Sequence, residues 1–170
     1  MAEIVIPAEF RIPPFYDEDY IAVSLEGKSI QEVLLQYPFI FDILNKNGQA
    51  WHTPWNTPEQ TLPLLLEAWK VSEKSMLTSL QKKQLNGKQT AISAALLINC
   101  ICWSASLPVE EAVSLIQLQQ SSNAPVNCRE RLQFVLSRPE QYHSFIQLQQ
   151  LFEEFKKIYA VQQAIKKRHF

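Results

Sequence analysis

At 170 residues, with 46% apolar and 19% charged residues and a net charge of −1, the chain has the length and composition of one globular domain. A domain this long buries roughly 70% of its unfolded surface, so folding needs no disulfide or metal staple. The composition excludes a disordered chain, and the near-zero charge removes any general pull towards nucleic acid or anionic lipid.

The first 28 residues carry Pro7, Pro13 and Pro14 among Phe10, Phe15, Tyr16 and Tyr20. Pro13 and Pro14 favour extended backbone at and before them, which predicts an arm rather than a helix. The arm is acidic, with Glu3, Glu9, Asp17, Glu18, Asp19 and Glu26 against Arg11 alone before residue 28. Residues 3–6, EIVI, are the only strand candidate in the chain. Two readings compete for the arm: rings seated in grooves of the domain, which is the commoner fate, or a surface for a partner. The start, MAEIVIPAEF, lacks a basic segment before an apolar core and does not read as a secretory signal.

Ser29 with Glu32 forms a capping-box pattern that starts a helix at Ile30. Pro38 predicts a kink or break, the apolar stretch resumes through Phe39, Ile40, Phe41, Ile43 and Leu44, and Asn47-Gly48 supplies a left-handed stop. Residues 51–70, WHTPWNTPEQTLPLLLEAWK, hold Trp51, Trp55 and Trp69 and pass from an aromatic, proline-stiffened loop into a long helix. Thr57-Pro58 offers one helix start and Thr61 another. With Pro63 between them and the apolar run, the second is preferred, with the helix continuing to about residue 84 and ending at Asn86-Gly87.

Residues 88–104, KQTAISAALLINCICWS, are apolar nearly all round, which predicts the helix that the others surround. Residues 91–107 are at the short end for a membrane span, contain Ser93, Asn99, Ser104 and Ser106, and lack a basic flank, so a buried helix is expected. Pro108 with Glu110 and Glu111 opens a further helix to about Gln119, SSNAPV is a loop, Asn127 with Glu130 starts a short helix, and Pro139 starts a long one to about Arg168. Tyr142, Phe145, Leu148, Phe152, Phe155, Ile158, Tyr159 and Ile165 form its apolar stripe. The expected fold is all-α: an extended, Pro- and aromatic-rich arm over residues 1–28, packed on a single bundle of about six helices over residues 29–170.

Catalytic patterns are lacking. Gly27, Gly48 and Gly87 are single and far apart, so no phosphate-binding loop exists. Of His52, His143 and His169, only His143 has a ligand-like neighbour, Glu140, and one ExxH does not make a metal site. Cys100, Cys102 and Cys128 are odd in number with no CxxC, which reads as reduced structural thiols in a cytoplasmic protein; pairing Cys102 or Cys128 with a histidine has no local signature. Asp17-Glu18-Asp19, Glu110-Glu111 and Glu153-Glu154 read as solvated faces or helix-end charges. No enzyme, cofactor or metal is expected.

Binding is the alternative to catalysis. Trp51, His52 and Trp55 sit in a loop, and with Phe15 and Tyr16 of the arm they form the expected surface for a protein partner, because loops carry function and tryptophan is enriched at hot spots. The competing reading plugs these rings into the end of the bundle. Lys156, Lys157, Lys166, Lys167 and Arg168, with His169, make the end of the last helix basic. That suits a helix C-terminus or a contact with the acidic arm; a nucleic-acid contact is the less favoured alternative. Exposed apolar faces on this helix would suit a homodimer.

The arm IPAEFRIPPFY, the segment PWNTPEQTLPLLLEAW and the apolar helix after it resemble, over nearly the whole chain, the YpoC-like proteins of Bacillota. The resemblance implies a small helical cytoplasmic protein encoded near genes for DNA replication, DNA repair and cell-wall synthesis. It carries over no active residue. The expectation is a non-enzymatic protein-interaction module, with an accessory DNA-binding protein of replication or repair as the alternative and an enzyme with an unrecognised site third.

Overall fold

The structure is a computed structural model and describes residues 1–50, 52–110, 118 and 120–168. Trp51, His169 and most of the helix expected over residues 108–119 lie outside the described residues. Among those described, the chain forms β1 (Ala2–Val5), β2 (Tyr20–Val23), α1 (Ile30–Leu34), α2 (Ile40–Lys46), α3 (Pro58–Gln81), α4 (Gly87–Ser104), α5 (Cys128–Ser137) and α6 (Tyr142–Arg168). The fold is the expected helical bundle with one addition, a two-stranded ribbon.

Helix α4 is the centre. It is buried without interruption from Thr90 to Ile101 and packs on α3, α5 and α6. Its buried hydroxyls all find partners: Thr90 Oγ1 donates to Pro139 O (2.5 Å), Ser93 Oγ bonds Ser72 Oγ of α3 (2.7 Å), and Ser104 Oγ donates to Ile101 O (2.9 Å). These bonds offset the desolvation that would otherwise make the groups costly inside. Among the described residues no helix is long and apolar enough to cross a membrane.

Helix α3 runs against α4 and α6. The indole of Trp69 stacks on Phe152 at 4.1 Å with 6° between the ring planes, and both rings are fully buried. Its start corrects the expectation. The helix begins at Pro58, not near Leu62, and Pro63 lies inside it. The amide that Pro63 lacks would have bonded the carbonyl of Glu59, which is exposed, so water can take its place. Thr61 is not a cap; its hydroxyl donates back to the carbonyls of Pro54 (2.9 Å) and Thr57 (3.1 Å). The end differs too. Lys83 takes the left-handed conformation (φ 55°) after Gln81, and Asn86-Gly87 begins α4, with Asn86 Oδ1 accepting from Lys88 N (2.8 Å).

The Ser29–Glu32 box is closed in both directions. Pro38 breaks the chain between α1 and α2, and Phe39 enters α2 in the left-handed region (φ 60°) with its ring fully buried. A non-glycine residue there is strained, so packing must hold it. The arm supplies that packing: Phe10 and Phe15 lie 5.7 and 5.0 Å from the Phe39 ring. Ile4, Ile6, Phe10, Phe15, Tyr16 and Val23 all join the common core. The EIVI segment is β1, paired antiparallel with β2 in the register Ala2↔Val23, Glu3↔Ala22, Ile4↔Ile21 and Val5↔Tyr20. Ile4 and Val23 face the core; Val5 and Tyr20 share the outer face, 48% and 55% exposed.

Helices α4 and α6 start level and run the same way. A Cβ on Gly87 would lie 3.4 Å from the Pro139 ring, and further along Cys100 feels the charge of Lys156. Helix α6 has 27 residues against 18 in α4, so its end projects beyond α4 by about 13 Å at 1.5 Å per residue.

Candidate functional site

The structure separates the residues expected to meet a partner. Trp55 is 6% exposed and lies 6.2 Å from Trp103, ring to ring. Phe15 is buried against Phe39, and Tyr16 is buried with its hydroxyl donating to Pro38 O (2.7 Å). Burial also pushes the Tyr16 phenol well above its ordinary value, with Glu18 and Tyr37 adding to the shift. His52 is exposed beside an edge-on Phe41 ring at 6.1 Å. The tryptophan loop therefore turns Trp55 inward, and truncating that ring would open a cavity beside Trp103 instead of removing a contact surface.

The arm rings nevertheless border a surface feature. A cleft of about 620 Å³ lies between the arm, the α1–α2 break and the first turns of α4. Phe15 and Tyr16 form buried parts of its lining, while Asp17, Glu18 and Tyr20 are exposed around it. Tyr37 and Lys88 complete the opposite wall. This volume falls in the roughly 300–1,000 Å³ range of ligand clefts. Tyr20 and Tyr37 were not distinguished by sequence pattern, because nothing local tells which ring a non-local cleft will use.

The basic end of α6 does not meet the acidic arm. The cleft borders Lys88, Ala91 and Ile92 at the start of α4, whereas Lys166, Lys167 and Arg168 project past its far end. The arm's ion pairs go elsewhere, Asp19 to Arg11 and Glu9 to Lys46. Lys156 pairs with Glu153 of its own helix (3.1 Å), while Lys157, Lys166, Lys167 and Arg168 are exposed.

One titratable group escaped the sequence reading. Asp42, 1% exposed on α2, accepts from Asn99 Nδ2 at Oδ2 (2.8 Å) and from Trp103 Nε1 (3.0 Å) and Val109 N (2.6 Å) at Oδ1. Burial pushes its carboxyl up to about 6, against the opposing pull of these donors. Asn99 Oδ1 is buried and unpaired among the described residues. The signal for Asp42 was a lone acid within FIFDIL, where the apolar positions on both sides leave it no solvent face. Sealed in the core with both oxygens engaged, it ties α2 to α4 and the chain beyond.

The thiols are similarly enclosed. Burial pushes Cys102 and Cys128 up to about 12 and raises Cys100 further, so none is a ready thiolate near neutral pH. Among the described residues no three His, Cys, Asp or Glu side chains converge to hold a metal ion.

A family profile described as YpoC-like protein matches residues 59–167. The uncharacterized protein YpoC of Bacillus subtilis (strain 168) is 32% identical over 148 residues, covering 82% of this chain and 87% of that protein. No solved structure matches. The profile covers the helices from α3 to α6, and the relative covers most of both chains: this chain belongs to the YpoC-like family.

Proposed function

We propose that the protein is a non-enzymatic module that binds another protein through its N-terminal arm. The observation that carries this reading is the arm cleft, where buried Phe15 and Tyr16 support an exposed Tyr20 beside two exposed acids, Asp17 and Glu18. Aromatic rings held rigidly beside charged groups are the makings of a recognition hot spot. Binding is favoured over catalysis because the one carboxyl raised by burial among the described residues, Asp42, is shut away from substrate, and the thiols are held protonated.

Tyr20 is half exposed, so its ring can be removed without opening the core. Tyr20→Ala should leave the melting temperature within a degree or two and weaken the partner by about 30-fold, the effect of a hot-spot tyrosine. Affinity capture from the native host, run side by side with the wild-type chain, reads this as the loss of specific proteins from the variant. An unchanged set of recovered partners would rule out the arm as the contact surface.

The projecting end of α6 favours a second reading, nucleic-acid binding through Lys157, Lys166, Lys167 and Arg168. A fluorescence-anisotropy titration of a DNA duplex should then show affinity falling steeply with salt. Replacing Lys166, Lys167 and Arg168 by glutamine should reduce the salt slope by about 0.9 for each phosphate no longer neutralised. Absence of a complex at low salt removes this reading.

A further inference from the structure

We propose that the outer edge of β2 is a strand-addition site, where an extended segment of a partner protein carrying a lysine or arginine pairs with Tyr20 and Ala22 and fills the cleft beside them. The proposal rests on the reading of the arm as a contact surface and names the shape and chemistry of what binds there.

The hydrogen-bond pattern of the ribbon identifies the free edge. Ile6 N donates to Asp19 O (2.7 Å), so Ile6 and Asp19 are a bonded pair. Bonded pairs alternate along an antiparallel ladder, which makes Ile4 with Ile21 and Ala2 with Val23 the next ones. The N–H and C=O groups of Tyr20 and Ala22 therefore point away from β1. On the other edge of the ribbon Val5 O is closed off by Asn47 Nδ2 (2.8 Å). On the β2 edge the Tyr37 hydroxyl accepts from Ser24 N (3.3 Å), and the outward groups of Tyr20 and Ala22 have no partner among the described residues. The cleft runs along this edge, with Tyr20, Ile21 and Ala22 on one wall and Tyr37, Lys88 and Ala91 on the other. An open row of backbone groups beside a cleft is the arrangement used in strand addition, where the backbone supplies affinity and alternate side-chain positions supply specificity.

The side chains select a cation. Lys28 Nζ already stands 5.7 Å from the centre of the Tyr37 ring, so the fold itself uses one of these tyrosines to hold an ammonium group. Tyr20 offers an exposed ring near Asp17 and Glu18, and an incoming lysine or arginine would meet both ring and carboxylates. Lys88 on the opposite wall repels a second cation there and so orients the strand. The chain's own basic end is beyond the far end of α4 and cannot reach. Pairing two copies through this edge would bring the acids of both arms together.

The test uses the full-length chain and random seven-residue peptides displayed on phage. Enriched sequences should contain lysine or arginine, and a synthetic peptide from the selection should bind in solution. The N–H of Ala22 makes no ladder bond, so Ala22→Pro should fold normally yet weaken that peptide about tenfold or more, the effect of one lost and blocked backbone bond. Methylating alternate backbone amides of the peptide tests the same bonds with the protein intact: one set should abolish binding and the other should not. If Tyr20→Ala weakens the peptide while Ala22→Pro and both methylation sets leave it unchanged, strand pairing is wrong and the arm remains the contact surface. If no peptide is enriched, or none of these changes affects binding, both readings fall. A wild-type dimer that Ala22→Pro makes monomeric would assign the edge to a second copy and overturn the partner strand.

Discussion

Replacing Asp42 by alanine should lower stability by about 3–5 kcal/mol at neutral pH, because three buried donors lose their common acceptor. Asn99 Nδ2, Trp103 Nε1 and Val109 N would each be left buried without an acceptor, at about 1–3 kcal/mol apiece before relaxation. Asp42→Asn should behave differently. Its oxygen can keep the bonds from Trp103 and Val109, and its new amide would face Asn99, whose unpaired Oδ1 can turn to accept it. The variant should therefore stay within about 1 kcal/mol of the wild type or exceed it. The pH dependence separates the two effects. The carboxyl rises from 3.8 to about 6 on folding, so the native state binds the proton more tightly than the unfolded chain. Stability from this group is full below pH 3.8 and is lost as pH rises to about 6, by about 3 kcal/mol, with no further change above. Urea denaturation from pH 4 to 8 should show this fall in the wild type and its absence in Asp42→Asn. An equal fall in both would mean that Asp42 is not its source.

Trp69→Ala should cost about 4–5 kcal/mol, the upper range for truncating a fully buried ring. Trp69 and Phe152 stack where α3 crosses α6, with Glu73 and Gln149 bonded one turn away (3.0 Å), so the cavity is walled by two long helices that resist collapse. In a domain of this length the melting temperature should fall by about 10–15 °C. The Trp69→Ala, Phe152→Ala cycle should give a coupling of about 0.5–1.5 kcal/mol, the part due to ring contact beyond burial. Additive single effects would show that only area matters here.

Local signals were read correctly where a local cause acts. Ser29 with Glu32, the break at Pro38 and the apolar surface of α4 each follow from neighbouring residues, and the structure bears them out. Errors arose where one residue type serves two roles. Asn86-Gly87 can close a helix or open one, and Pro63 is accommodated inside α3, where the carbonyl it leaves without a donor belongs to the exposed residue Glu59. Non-local features were the least visible. Strand β2 is four residues of moderate β propensity, and its partner lies some 18 positions earlier in the ribbon, so pairing rather than sequence makes it a strand. The direction of Trp55 depends on Trp103, and the role of Asp42 depends on donors distant in sequence. The arm was recognised as aromatic and acidic, while the cleft beside it required the meeting of three separate segments.

The separation of Asp42 from its donors also matters during synthesis. Val109 follows Asp42 by 67 positions, an interval of about 3–13 seconds at 5–20 residues per second. Throughout that time the apolar stretch around Asp42 carries a carboxylate whose last acceptor site can be filled only by water. Asp42 therefore gains its full set of donors only when the chain after α4 is made.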